Sequence, residues 1–218
     1  MPRQLVIALA LLFAPGVALA QPGGSIEETT GDGDDELDAS GGDELDAAAG
    51  QEIGGALGFE AGGRVSPGGL QLTGYHMFRL SDVDWLESSV AFTVGGAGGA
   101  CFRDRQDVVI CDHGLVNGLA GEVAIGIRRF LADYRQDRFI PFARVGVGAR
   151  FVNFSTDEVR GVAIPAIIGG GVRARLTHQF ALSAGATARA GIAFMNKGLG
   201  AQPHFTFSIQ FAAEFALE

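Results

Sequence analysis

The chain ends in FTFSIQFAAEFALE, and the alternation in this stretch is unbroken. Phe205, Phe207, Ile209, Phe211, Ala213, Phe215 and Leu217 hold one set of positions, and Thr206, Ser208, Gln210, Ala212, Glu214 and Ala216 hold the other. A period of two puts successive side chains on opposite faces of a strand. An isolated strand with one continuous apolar face is not stable in water, and an open sheet leaves unpaired backbone at its edges. The arrangement that meets both demands is a sheet closed on itself, with the C-terminal strand as one of its walls.

The same texture runs back to about Ile53. Period-two segments are predicted at Ala56–Val65, Leu70–Leu80, Trp85–Val94, Leu115–Leu131, Phe139–Phe154, Val162–Leu176, Phe180–Phe194 and His204–Leu217. SDVD, ADYRQDR and THQ form short polar turns between them. SPGG, GGAGGACFRDRQDVVICDHG, STDEVRG and MNKGLGAQP fall at the other end. The fold class is all-β, an eight-stranded antiparallel up-and-down barrel spanning residues 53–218.

Alternation alone does not say which face is inside. A lipocalin-like barrel keeps apolar side chains within, whereas a transmembrane barrel turns them to lipid. Three features favour the second. Several segments exceed the five or six residues usual in soluble sheets. The polar face is mostly Gly, Ala, Ser and Thr with isolated Arg and Glu, and the one Lys of the chain lies outside the segments. Aromatic residues also bracket the apolar face. Phe205 and Phe215 are ten residues apart, which at ~3.3 Å per residue and a tilt near ~40° spans about 25 Å, the height of a lipid-facing band. The expected girdle is Phe139, Phe151, Phe180, Phe194, Phe205 and Phe215. Two positions fit this orientation badly, His76 and Arg129, which fall on the outward face.

The start of the chain has a different character. Arg3 precedes LVIALALLFAPGVALA, and Ala18-Leu19-Ala20 matches a small-x-small cleavage site, so residues 1–20 are expected to be a secretory signal. Residue 21 is Gln and not the Cys that a lipid anchor needs. Residues 21–52 carry eleven acidic side chains and no basic one, which predicts a disordered acidic linker. Its Asp/Gly content lacks the spacing of a calcium loop. From Ile53 onward fourteen acids face fifteen bases, so the net charge of −9 belongs to the linker. No basic, aromatic-interleaved stripe for nucleic acid exists. The two cysteines, Cys101 and Cys111, are expected to bridge in an oxidising compartment.

The stretches FIPFARVGVGARF (Phe139–Phe151) and AIIGGGVRARLTHQFALSAGATAR (Ala166–Arg189) resemble the OmpA/OmpW-type eight-stranded outer-membrane barrel superfamily. The resemblance covers about Ile53–Glu218. It implies an outer-membrane barrel with periplasmic termini and longer outer loops, set among outer-membrane lipids as a monomer and inserted by the barrel-assembly machinery. Such barrels commonly end in an aromatic residue, whereas here Phe215 is followed by Ala216, Leu217 and Glu218.

An eight-stranded barrel is about wide enough for its interior to be filled by side chains. The predicted inward set is Glu60, Arg64, Arg79, Glu87, Glu122, Arg128, Arg144, Arg150, Arg173, Arg175, Arg189, Gln210 and Glu214. These form either a rigid Arg–Glu network or the lining of a narrow, porin-like conduit. The excess of Arg in that set predicts anion preference for any conduit. The bridged loop CFRDRQDVVIC suggests an adhesin or receptor role as an alternative. His204, Thr206 and Ser208 share a face, but His-x-Thr-x-Ser is weak support for a lipid hydrolase, and no catalytic residue is assigned. No cofactor or metal motif occurs.

Overall fold

In the computed structural model, residues 50–103, 106–132 and 137–217 are described. The expected signal and nearly all of the acidic linker lie outside them. The described chain forms ten strands: β1 (Gln51–Gly62), β2 (Gly69–Arg79), β3 (Asp84–Gly95), β4 (Ala100–Arg103), β5 (Val109–Asp112), β6 (Gly118–Phe130), β7 (Phe139–Phe154), β8 (Val159–Arg175), β9 (Phe180–Met195) and β10 (Gly200–Leu217). Eight of them close a barrel in the order β1-β10-β9-β8-β7-β6-β3-β2, and β4 and β5 form a separate two-stranded hairpin.

All neighbours in the barrel are antiparallel. Closure is made by β1 and β10, in register from Gln51 opposite Leu217 to Gly62 opposite Thr206. The C-terminal alternation is therefore one wall of the closed sheet, and the edge it would otherwise leave is paired. The β7–β8 ladder lacks pairs between Val147–Ala166 and Arg150–Ala163. That gap holds Pro165, which has no N–H to give.

The strands differ from expectation at their ends. The first strand occupies Gln51–Gly62 and not Ala56–Val65, so Glu52 belongs to the barrel and Val65 to the following loop. The strand expected from Leu115 begins at Gly118, that expected from Val162 at Val159, and that expected from His204 at Gly200. The last two connections on the loop end are consequently short, residues 155–158 and 196–199. Each contains left-handed residues, Glu158 (φ 52°) in the first, Lys197 (φ 56°) and Gly198 (φ 77°) in the second, as tight hairpins require.

Orientation matches the transmembrane alternative. Leu57, Phe59, Leu72, Val145, Val147, Ile168, Ile209 and Phe211 point outward and are exposed. The girdle residues Phe139, Phe151, Phe194, Phe205 and Phe215 do the same. Phe180 is half-buried because it packs on Phe215 with ring centroids 4.9 Å apart. The alternation inverts at the strand ends. Near the end of β7, Asn153 takes the outward position while Phe154 is buried inside. At the short-turn end, Asp84 and Arg129 face out beside buried Trp85 and Phe130. At the strand ends the outward positions turn polar and the apolar surface moves within.

Candidate functional site: the barrel interior

The interior is stacked in layers. On the loop side, Arg150 donates from Nη2 to Glu60 Oε1 (2.5 Å) and from Nη1 to Glu60 Oε2 (3.1 Å) and Glu122 Oε2 (3.4 Å). Arg189 completes the layer, donating from Nε to Glu122 Oε1 (2.9 Å) and from Nη1 to Ser208 Oγ (3.0 Å). Gln71 donates to Glu60 at 2.5 Å. Two arginines and two glutamates meet here, each below 5 % exposure. Charges so buried persist only when paired and hydrogen-bonded.

On the short-turn side a second layer joins three of each. Arg128 donates to Glu87 (Nε to Oε2, 2.7 Å) and Glu214 (Nη1 to Oε1, 2.7 Å). Arg144 donates to Glu87 Oε1 at 3.0 Å, and Arg173 pairs with Glu52 Oε1 and Glu214 Oε2 at 3.0 Å each. Glu214 also accepts from Ser183 Oγ (3.0 Å) and Tyr75 Oη (2.7 Å). The Arg128 guanidinium lies over the Tyr75 and Phe142 rings, 4.9 and 4.7 Å from their centroids.

The layers are joined over β1. Its inward residues are Glu52, Gly54, Ala56, Gly58 and Glu60. Gly54 pairs with Tyr75 on one side and Glu214 on the other, and Gly58 with Gln71 and Gln210. With no side chain in the way, Tyr75 reaches Glu214 and Gln210 donates to Gln71, both across the strand that closes the barrel.

Apolar clusters lie at both ends of the stack. Val65, Ala120, Val152, Phe154, Val159, Ala163, Ala193 and Met195 cluster on the loop side. Met77, Trp85, Phe130, Ile140 and Phe142 lie on the short-turn side, with Trp85 edge-on to Phe130 at 6.2 Å. Two cavities within the stack, one beside Tyr75, Thr187 and Gln210 and one beside Glu87 and Ile167, measure about 20 Å³ each. A water needs roughly 10–15 Å³, so each has room for about one.

Most of the predicted inward residues converge as expected: Glu60, Glu87, Glu122, Arg128, Arg144, Arg150, Arg173, Arg189, Gln210 and Glu214 all enter the network. Three do not. Arg64 lies exposed in the β1–β2 loop, because β1 ends at Gly62. Arg79 bonds Asp82 in the adjacent turn. Arg175 sits half-buried where β8 ends, beyond the short-turn layer. Sequence reasoning missed Glu52, assigned to the linker by its acidic surroundings, and the inward aromatic cap. The two misfits, His76 and Arg129, lie in continuous register. His76 faces out near the end of β2 and hydrogen-bonds Gln51 (3.2 Å), and Arg129 grips Asp84 through two bonds of 2.8 Å.

His204, Thr206 and Ser208 all point inward and are buried. Ser208 accepts from Arg189, while the His204 ring meets Ser66 Oγ from Nδ1 at 2.7 Å and, among the described residues, leaves Nε2 without a hydrogen-bond partner. A nucleophile–base pair needs a third group to orient the base and access for a substrate, and Ser66 is fully buried. In the β4–β5 hairpin, Cys101 stands opposite Cys111. Among the described residues, no group of three His, Cys, Asp or Glu side chains has the geometry of a metal site.

No family model matches the chain, and no curated protein matches it. Among solved structures it is similar to Neisserial surface protein A, with a TM-score of 0.50 and 12% identity over 77% of this chain and 96% of that one. It is likewise similar to the outer membrane protein OprG from Pseudomonas aeruginosa, with a TM-score of 0.52 and 12% identity over 78% and 98%. The shared feature is the fold, that of the small eight-stranded outer-membrane barrels.

Proposed function

We propose that this chain, having the fold of the small outer-membrane barrels, is an integral outer-membrane protein with a structural role, a wall-forming barrel with a locked interior. Its termini and short turns face the periplasm and its longer loops the exterior. It resides among outer-membrane lipids as a monomer after insertion by the barrel-assembly machinery. One observation carries the structural reading over the porin-like one: both ionic layers are filled and balanced, five glutamates against five arginines among the described residues, between two apolar caps. The Arg excess behind the expected anion preference arose from counting Arg64, Arg79 and Arg175, which lie outside the layers, and from leaving out Glu52, which lies within them. In planar bilayers the folded protein is expected to give no ion-conducting steps. Reproducible steps from the purified monomer would instead favour the porin-like role.

A second reading, an adhesin or receptor, draws on the β4–β5 hairpin. It stands apart from the barrel sheet with Val108 and Val109 exposed near its tip, and the register of its cysteines suits a bridge. Alkylation before and after reduction checks the bridge: no thiol should label until a reductant is added. Comparing envelope or host-surface binding of the intact chain and a chain lacking residues 102–110 tests the role. Equal binding by the two removes it.

A further inference from the structure

We propose that the β1–β2 loop is an acid-released plug, latched into the loop-side mouth of the barrel by Ser66 and His204. The segment reads Gly62-Gly63-Arg64-Val65-Ser66-Pro67-Gly68-Gly69. Although it is a connection between strands, Val65, Ser66, Pro67 and Gly68 are buried, which is unusual for a loop. Val65 enters the apolar cap against Val152, Phe154 and Met195. Three bonds hold the segment down: Ser66 Oγ with His204 Nδ1 (2.7 Å), Arg150 Nη2 to Pro67 O (3.2 Å), and Gly68 N to Gly96 O (2.6 Å). Glycine ends the segment where no other residue fits. Gly69 has φ +121°, and a Cβ on Gly62 would lie 1.9 Å from Ser66 O.

The latch depends on a neutral imidazole. Charged groups facing His204 are Arg150 from β7, Arg189 from β9 and Glu122 from β6, with Glu60 of β1 bound to Arg150. Those two arginines and two glutamates are spent on each other. Among the described residues the ring Nε2 has no hydrogen-bond partner, and neither has the buried Thr206 hydroxyl on the same face. A proton on His204 adds a third positive charge to a balanced, buried compartment, with no carboxylate left for it. Swinging the segment out admits water to the ring and relieves that charge. The latch therefore holds while the ring is neutral and is lost as pH falls.

Hydrogen exchange read by mass spectrometry on the full chain folded in lipid vesicles tests this. Rates for peptides covering 62–72 are compared from about pH 7.5 to about pH 4, corrected for intrinsic exchange. Wild type is expected to lose protection in this segment by about tenfold or more on acidification, with β9 and β10 unchanged. His204→Gln, which keeps a partner for Ser66 and cannot charge, should stay protected throughout. Ser66→Ala should exchange faster already at neutral pH, by roughly five- to tenfold for one lost hydrogen bond, and respond less to acid. Parallel loosening of wild type and His204→Gln would assign the effect to Glu60 and Glu122 and overturn the proposal. So would an acid-insensitive segment, or loosening spread equally over β9 and β10.

Discussion

The Tyr75 hydroxyl donates to Glu214 at 2.7 Å across the backbone of Gly54, the residue of β1 paired with both. The side chains thereby bridge the seam where the first strand meets the last. A Cβ on Gly54 would come within 2.4 Å of the Tyr75 ring. Gly54→Ala is expected to cost about 1–3 kcal/mol through overpacking, and Tyr75→Phe about 1.5–3 kcal/mol through loss of a bond to a carboxylate. In a Tyr75→Ser background the glycine substitution should become nearly neutral, because the ring it strikes is gone. Urea unfolding in vesicles, followed by the fluorescence of the single tryptophan, Trp85, measures all of these.

Arg150 serves two glutamates, Glu60 and Glu122. Arg150→Met strands negative charge in a buried site and is expected to cost about 3–5 kcal/mol. Removing Glu60 as well, in the Glu60→Met/Arg150→Met double variant, should recover part of that loss, since a buried ion pair can often be replaced by apolar groups at little cost. A double variant less stable than Arg150→Met alone would mean that packing, not charge balance, sets the stability of this layer. The same unfolding assay decides between them.

The eight barrel strands, their order and their facing were legible in the sequence because the two faces of the sheet carry opposite chemistry in adjacent residues, whereas the β4–β5 hairpin, read as a connection, was not. From Phe205 to Leu217 each step of two repeats the contrast between faces. The ends were not legible. At Phe151–Phe154 the outward position passes from Phe151 to Asn153 and the inward one from Arg150 to Phe154, so a strict alternation rule misassigns whatever lies beyond. Arg64 falls outside the lumen because β1 ends at Gly62, short of the predicted Val65, and Arg175 because it is the last residue of β8. His76 and Arg129 looked anomalous under the alternation rule, although each faces out beside a buried Met77 or Phe130. Glu52 was hidden differently. The acidic linker preceding it has the same composition, and only the register with Ala216 and Met77 assigns it to β1.

The outward wall should discriminate by height. Ile209 lies midway along β10, whereas Phe205 belongs to the aromatic girdle near the loop side. Ile209→Arg is expected to destabilise the barrel in lipid by about 2–4 kcal/mol, and Phe205→Arg by about 0–1 kcal/mol. Equal costs at the two positions would mean that no hydrocarbon slab is centred on this wall. Vesicle unfolding free energies supply the comparison.

Beyond the girdle the loop-side turns are tied by charge. Lys197 Nζ donates to Glu158 Oε2 at 2.6 Å, and Asn196 bonds Arg160 N and Glu158 O beside it. The hydrogen bond from Lys197, then its charge, then that of Arg160 hold the Glu158 carboxyl below its ordinary value. A depressed carboxyl contributes stability that is present above the unfolded value of about 4.3 and disappears as pH falls through the lower folded one. The pair is open to water, so the contribution is small and weakened by salt. A carboxyl-carbon NMR titration should find Glu158 titrating below the ordinary glutamate range. Lys197→Met should return it most of the way to ordinary, with Arg160 accounting for what remains. Molar salt should reduce the difference between the two proteins, and an unchanged titration in Lys197→Met would remove Lys197 as the cause.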